Sequence, residues 1–173
     1  QSPHRLTEQH APCLLVGIRL LSRLAKGKQA NTDLVGYWPL DGTTADVSGN
    51  ANDGSLVNGP SWTSGRIGSG ALDFDGNNYM TAPDGEVTGV GANGADFSVS
   101  FWLYLQAGHD GNWRNLMHKG NSDSDRTFAL WMNFYTDQIY FRISTSDWWD
   151  EGGMSASVIP LNQWEKVTYV KAG

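Results

Sequence analysis

Two adjacent tryptophans with acidic neighbours are the residues of this chain best suited to bind a ligand. They lie in the segment S-D-W-W-D-E-G-G, and a third tryptophan lies in a loop-like segment, H-D-G-N-W-R-N. An indole packs its flat face against the C–H-rich face of a pyranose ring, while carboxylates accept hydrogen bonds from the ring hydroxyls. The alternative is that one or both indoles cap the open end of a core. The predicted saccharide-binding residues are Trp113, Asp147, Trp148, Trp149 and Asp150.

A second candidate site lies in the segment D-V-S-G-N-A-N-D-G and in the Asp-Gly turn that precedes it. Calcium binds roughly six to eight oxygens, drawn from carboxylates, amide oxygens and the carbonyls of tight turns. These loops contain all three types of oxygen. We therefore predict a calcium site with the ligands Asp41, Asp46, Asn50 and Asp53. The alternative is that Asp and Asn only cap turns here, as they do in most loops.

Two further patterns predict no site. Asn121, Asp123 and Asp125 alternate in N-S-D-S-D-R like the first half of an EF-hand loop, but the Gly and Glu that complete such a loop are absent. A solvated loop is the better interpretation. His109 and His118 have no second His and no paired Cys at zinc-ligand spacing, so a zinc centre has no support.

The elements that position these loops are predicted to be short strands. Apolar residues arrive in strand-length bursts, and each burst stops at a cluster of Asp, Asn, Gly and Ser. The clearest alternation covers residues 97–106, where Phe97, Val99, Phe101 and their successors share one face. Several strands separated by turn clusters predict an all-β, antiparallel sandwich. The predicted strands are residues 35–40, 55–57, 71–74, 79–82, 97–106, 114–119, 127–134, 138–144 and 163–171.

Several sequence blocks resemble a known family in the expected order. They are Y-W-P-L-D-G, then D-x-S-G-N-x-N-D-G, then G-x-A-L-D-F-D-G, followed by F-S-V-S-F-W-L-Y-L and N-Q-W-E-K-V-T-Y-V. Residues 33–173 thereby resemble the laminin G-like branch of the concanavalin A-like lectin/glucanase superfamily. The resemblance implies a jelly-roll order, and a calcium near Asp46 and Asn50. It also implies further strands after residue 173, so the sandwich is expected to be incomplete at the C-terminus.

The resemblance also calls for a check on catalysis. Retaining glucanases of this fold carry Glu-x-Asp-x-Glu or Glu-x-Asp-x-x-Glu on a strand, with the two working carboxyl groups about 5–5.5 Å apart. After residue 32 the glutamates are Glu86, Glu151 and Glu165, and none has an Asp two residues later. The sequence therefore predicts a module that is not an enzyme.

Charge and hydropathy restrict the partners. The formal net charge is −6 although the first 32 residues are basic. An acidic body argues against nucleic acid, whose phosphates need a basic footprint. No apolar run of about 18 residues exists, so no membrane span is predicted. Residues 1–32, with the single cysteine Cys13, are expected to be a poorly ordered or short helical leader, interpreted as an export signal, an amphipathic linker helix or upstream sequence.

The leading hypothesis is a non-catalytic carbohydrate-binding or adhesion module that belongs to a larger secreted protein. Its expected partner is a polysaccharide or glycan, its expected cofactor is calcium, and its expected place is outside the cell or at the cell surface. One alternative is a protein-interaction or architectural β-sandwich that never binds sugar. A weaker alternative is a divergent glycoside hydrolase.

Overall fold

The structure is a computed structural model, which describes residues 13–21, 34–83, 95–120, 122 and 124–173. The described residues form strands, turns and loops and contain no helix, so none of them forms a helix that could cross a membrane. The strands are β1 (Cys13–Leu21), β2 (Leu34–Trp38), β3 (Ser55–Val57), β4 (Ser61–Thr63), β5 (Ala71–Phe74), β6 (Tyr79–Thr81), β7 (Phe97–Leu105), β8 (Arg114–Lys119), β9 (Phe128–Met132), β10 (Ile139–Ile143), β11 (Glu151–Met154) and β12 (Trp164–Lys171).

Two larger sheets and one small sheet contain these strands. The six-stranded sheet has the order β12-β7-β1-β5-β4, with β2 paired to β1, and the four-stranded sheet has the order β11-β10-β9-β8. Strands β3 and β6 form a separate two-stranded sheet. Neighbouring strands in all three sheets run antiparallel. The predicted class, an antiparallel all-β sandwich, is confirmed.

One hydrophobic core joins the two larger sheets. On β7, the residues that share the predicted apolar face are at most 1% exposed, because alternate side chains of a strand point to the same side. On β9, Phe128, Leu130 and Met132 face them in the same cluster. The rings of Phe97 and Phe128 meet across the core with centroids 5.4 Å apart. The side chains of the opposite parity on β9 and β10 therefore point away from the core, onto the outer face of the four-stranded sheet.

All nine strands predicted from sequence are present, with ends that differ by a few residues. The prediction that residues 127–134 form one strand is too long, because β9 ends at Met132. There the side chain of Asn133 accepts hydrogen bonds from the backbone N–H groups of Tyr135 and Thr136 at 2.8 and 3.1 Å. This side-chain cap closes the hairpin between β9 and β10.

Strands β4 and β11 were not predicted, because neither S-W-T nor E-G-G-M has an apolar alternation.

Strand β1 corrects the prediction for part of the leader. Its backbone over Cys13–Leu21 is a strand between β7 on one edge and β5 and β2 on the other, not a short helix or a poorly ordered segment. Pairing on both edges outweighs the helical spacing of its leucines, since tertiary context overrides local preference.

Several predictions fall on residues that the structure does not describe. They concern residues 1–12 and 22–32 of the leader, and Asn121 and Asp123 of the N-S-D-S-D-R segment. The interpretation of the leader as an export signal therefore stays a prediction.

Candidate functional site

The outer face of the four-stranded sheet is lined by aromatic and cationic side chains. Asn115, Trp131 and Tyr140 lie side by side there, because Trp131 pairs with Asn115 of β8 on one edge and with Tyr140 of β10 on the other. Arg142 follows two residues after Tyr140 on the same face. Trp131 is only 8% exposed, so it forms the floor of this face.

Trp113 closes one end of the face. Its ring centroid lies 4.8 Å from that of Tyr140 and 4.7 Å from that of Phe134, and both ring pairs are tilted. Tilted and offset arrangements of this kind are the favourable ones for aromatic rings. Trp113 nevertheless stays 42% exposed, so much of its surface is open to solvent.

The loop that carries Trp148 and Trp149 closes the other end. Hydroxyl groups hold this loop, because Ser144 Oγ donates to the carbonyl of Trp149 at 3.0 Å and Thr145 Oγ1 accepts the N–H of Trp148 at 3.2 Å. The two indole centroids are 6.2 Å apart with an interplanar angle of 31°. Trp148 is 56% exposed and Trp149 is 46% exposed. Indoles with this exposure do not seal the core.

A charged cluster lies between the two ends. Arg126 Nη1 donates to Asp150 Oδ1 in an ion pair, and Arg142 Nε approaches the same oxygen at 3.4 Å. The Tyr140 hydroxyl donates to the other oxygen, Oδ2, at 3.4 Å. The guanidinium of Arg142 also lies over the ring of Tyr140, 3.2 Å from its centroid. One carboxylate therefore links two arginines and a phenol on the same face.

Gly152 provides the space that Arg142 occupies. It lies opposite Arg142 in the pairing of β10 with β11, with a φ of +150°. A Cβ atom at Gly152 would lie 3.1 Å from Arg142 Nη1 and would collide with the carbonyl oxygen of Phe141. The Nη1 atom instead donates to the carbonyls of Phe141 and Gly153 at 2.9 and 3.1 Å. The Gly-Gly pair of β11 thus leaves room for the Arg142 side chain and for the close approach of the β10 backbone.

The predicted saccharide-binding residues fall into two groups. Trp113, Trp149 and Asp150 lie on one face, joined through Tyr140 and Arg126, and Trp148 stands next to Trp149. Asp147 lies further out in the loop, where its side chain accepts a hydrogen bond from Ser146 Oγ at 3.3 Å. As ligand contacts, all five residues stay predictions.

Sequence reasoning missed four residues of this face. Three of them are large aromatic or arginine side chains at strand positions that point away from the core, where polar residues are usual, and this was a signal in the sequence. The cluster contains an arginine whose partner is 24 residues away, a separation at which no local pattern reveals a contact. The missed residues are Arg126, Trp131, Tyr140 and Arg142.

The predicted calcium loop has a different geometry, centred on Asp46. Its Oδ1 accepts the N–H groups of Tyr37 and Ser48 at 2.8 and 2.9 Å. Its Oδ2 accepts the Ser48 hydroxyl at 2.7 Å and the N–H of Asn52 at 3.0 Å. Partial burial by itself would raise the pKa of Asp46, but these hydrogen bonds outweigh it and hold the pKa below the ordinary value.

The other predicted calcium ligands lie around this centre or apart from it. Asp53 Oδ1 accepts the N–H of Asp46 at 2.8 Å, and Asn50 Nδ2 donates to the carbonyl of Leu34 at 2.8 Å. Asp41 contacts a different loop, where the N–H of Gly70 at 2.9 Å and that of Ser69 at 2.5 Å lower the pKa of its carboxyl group. The structure thus brings Asp46, Asn50 and Asp53 together in one loop, whereas the Asp41 carboxylate contacts the backbone of a different loop.

Among the described residues, no group of three or more His, Cys, Asp or Glu side chains is placed to hold a metal ion. A cation in the 46–53 loop would therefore need backbone carbonyls and amide oxygens for most of its ligands. The hydrogen bonds of Asp46 indicate that its carboxylate already stabilises the loop by itself. Calcium binding stays a prediction.

Comparison with known proteins gives one match. A laminin G-type family model, described as the concanavalin A-like lectin/glucanases superfamily, matches residues 74–173, which is more than half of the chain. The matched residues include β7 to β12 and hence the whole outer face from Trp113 to Asp150. No curated protein and no solved structure matches the chain.

Proposed function

Because the chain belongs to the concanavalin A-like lectin/glucanase superfamily, we propose that it is a non-catalytic carbohydrate-binding module. Membership supports a lectin-like or adhesion β-sandwich. The more specific proposal is that a glycan lies on the outer face of the four-stranded sheet, between Trp113 and Trp149. We also propose that the module works outside the cell or at its surface, as part of a larger secreted protein.

The exposure of three tryptophans around one face is the observation that supports this proposal most. A soluble domain normally covers such large apolar rings, since burying an indole contributes to stability. Here Trp113, Trp148 and Trp149 remain about half exposed. The charged cluster around Asp150 lies between Trp113 at one end of the face and Trp149 at the other. Flat apolar area beside fixed polar groups is what a pyranose ring needs, because each sugar has an apolar C–H face and a rim of hydroxyls.

The test is a glycan array followed by isothermal titration calorimetry with the strongest ligand. Trp149→Ala is the informative variant, and Trp62→Ala is its matched control. Trp62 is 39% exposed, similar to Trp149, but lies on β4 of the six-stranded sheet. We expect Trp149→Ala to weaken binding and Trp62→Ala to leave it unchanged. Equal loss in both variants, or no bound glycan at all, would favour the protein-interaction sandwich instead.

Calcium in the 46–53 loop is a second proposal, supported by the approach of Asp53 to Asp46. Asp53 contacts Asp46 through Oδ1 and keeps Oδ2 outside that hydrogen bond. Together with the Asn50 side chain and the loop carbonyls, this oxygen would supply the ligands. Calcium that binds the folded state would raise the melting temperature above that in EGTA. Asp53→Asn should remove this difference, and an identical melting curve with calcium and with EGTA would contradict the proposal.

A further inference from the structure

We propose that Arg126 is the positioning residue of the saccharide platform, in that it fixes the orientation of Trp149. This inference rests on the proposed glycan site. The guanidinium carbon of Arg126 lies 4.6 Å from the ring centroid of Trp131 and 4.9 Å from that of Trp149. The cation is therefore placed between an almost buried indole and a half-exposed one.

This placement gives the two faces of the Trp149 indole different environments. A guanidinium over an indole is attracted by the negative face of the ring, and the planar group also stacks on it. The face that contacts Arg126 is thus occupied, so a sugar ring would meet the part of the Trp149 indole that stays exposed. Because Trp131 forms the floor of the sheet, the contact ties Trp149 to a rigid element.

The position of Arg126 is in turn fixed by the charged cluster. Its Nη1 atom donates to Asp150, which also contacts Arg142 and Tyr140. Arg142 is held by backbone carbonyls of β10 and β11. The side chains of Arg126 and Arg142 are 10% and 12% exposed, so their ion pairs with Asp150 are screened less by solvent than a surface pair. A chain of contacts therefore runs from the sheet backbone to Trp149.

Trp148 has no comparable support among the described residues. It packs against the ring of Trp149 and takes part in the turn hydrogen bonds to Thr145. We infer that Trp149 is oriented before a ligand binds, whereas Trp148 adapts to the ligand. A side chain that is already oriented avoids the entropy loss of becoming ordered on binding, which strengthens binding without any new contact.

The test combines two-dimensional NMR of the indole N–H groups with glycan titration. The chain has 8 tryptophans, and Trp149→Phe assigns the Trp149 signal. Arg126→Met removes the cation and the planar group but keeps most of the volume. We expect this variant to shift the indole signals of Trp149 and Trp131 and to leave that of Trp113 in place. Arg126→Lys should give a smaller shift, because it keeps the charge without the stacking plane.

Binding should follow the same pattern. Loss of a pre-ordered side chain predicts that Arg126→Met weakens glycan binding about 3- to 10-fold. In a Trp149→Ala background, Arg126→Met should have no further effect, because its action passes through the indole. Arg66→Met is the matched control, since Arg66 lies 5.5 Å over the ring of Trp102 on the other sheet. It should change neither the Trp149 signal nor the affinity.

Three results would overturn the inference. The first is an unchanged Trp149 signal in Arg126→Met, and the second is an equal loss of affinity with and without Trp149. The third is a shifted Trp149 signal with full glycan affinity, which would give Arg126 a structural role alone. If the unmodified protein binds no glycan, the proposed function fails, and the NMR result still decides whether Arg126 orients Trp149.

Discussion

Two acidic loops of this protein use their carboxylates in opposite ways. In the loop around Asp46, the carboxylate accepts hydrogen bonds from backbone N–H groups and from a serine hydroxyl. In the loop around Asp150, the carboxylate contacts two arginine side chains and a tyrosine hydroxyl, and two indoles beside it stay exposed. The first arrangement stabilises a turn, and the second arranges side chains on a surface.

The difference shows that Asp-rich loops cannot be interpreted from their composition. A carboxylate that accepts several backbone N–H groups has little capacity left for a ligand, because each oxygen already has partners. A carboxylate that contacts guanidinium groups orients flat, cationic side chains, which can stack on aromatic rings. The partner, rather than the aspartate, decides which role the loop has.

The largest effect that would test this comparison is expected from Asp46→Ala. This substitution leaves the N–H groups of Tyr37, Ser48 and Asn52 without their acceptor, and an unsatisfied polar group costs more than the hydrogen bond itself contributes. We expect the free energy of unfolding to fall by about 2–4 kcal/mol, measured by urea denaturation. Asp46→Asn, which keeps one acceptor oxygen, should cost less. A loss under about 0.5 kcal/mol would remove the structural role assigned to Asp46.

Gly68→Ala should have the next largest effect on stability, and Gly111→Ala is its control. Both glycines have a positive φ, +75° and +84°, at which alanine is strained by about 1 kcal/mol. A Cβ atom at Gly68 would also collide with the carboxylate of Asp41, whereas nothing lies within 4 Å of a Cβ at Gly111. Thermal or urea unfolding should therefore show a clearly larger loss for Gly68→Ala. Equal losses would show that the Asp41 carboxylate moves aside without a cost to stability.

Trp149→Ala should separate binding from stability in the second loop. Truncation of a central aromatic side chain typically weakens binding by about 1–3 kcal/mol, or roughly 5- to 150-fold. We expect a loss of glycan affinity in this range. The free energy of unfolding should change by about 1 kcal/mol or less, because the half-exposed indole contacts Arg126 and the exposed Trp148. Trp148→Ala should weaken binding less. Calorimetry and urea denaturation on the same samples measure both quantities, and a variant that loses only stability would contradict the assignment.

The smallest expected effect is the acid dependence of stability. Backbone hydrogen bonds from Gly70 and Ser69 hold the pKa of Asp41 below the ordinary value, and the pKa of Asp46 is lowered too. A group whose pKa is lower when folded contributes stability above the unfolded pKa, about 3.9, and loses it as the pH falls through the folded pKa. The free energy of unfolding should therefore decrease below about pH 4.

Urea denaturation between about pH 2 and pH 6 measures this dependence. Asp41→Asn should flatten the curve at acid pH, because the substituted residue no longer gains a proton on unfolding. A curve for Asp41→Asn that falls as steeply as that of the unmodified protein would show that the Asp41 carboxylate is not stabilised in the folded state.

The fold was predictable from local patterns to a large extent. Alternation of apolar residues marked β7 and β10, and turn clusters marked the ends of most strands, because the period of two and the turn residues are properties of the local chain. The prediction failed where pairing partners decide the structure. Strand β11 has the sequence E-G-G-M, and it is a strand because β10 supplies its hydrogen bonds.

Part of the candidate site was predictable for the same reason. Trp148 and Trp149 stand in a segment whose composition alone predicts an exposed loop, and the structure places it at the surface. Arg126 carries no local signal, because its role depends on Asp150 and on the rings of Trp131 and Trp149. The strand position of Arg142 predicts an outward side chain, but not its contact with Asp150.

The amino-acid sequence by itself determined the antiparallel sandwich and the acidic turns, since alternation and turn propensity act between neighbouring residues. Only the tertiary structure decided which carboxylates stabilise a loop and which orient a surface. That choice depends on partners up to 24 residues away in the chain, such as Arg126 for Asp150, which only the folded sheet and its loops bring together.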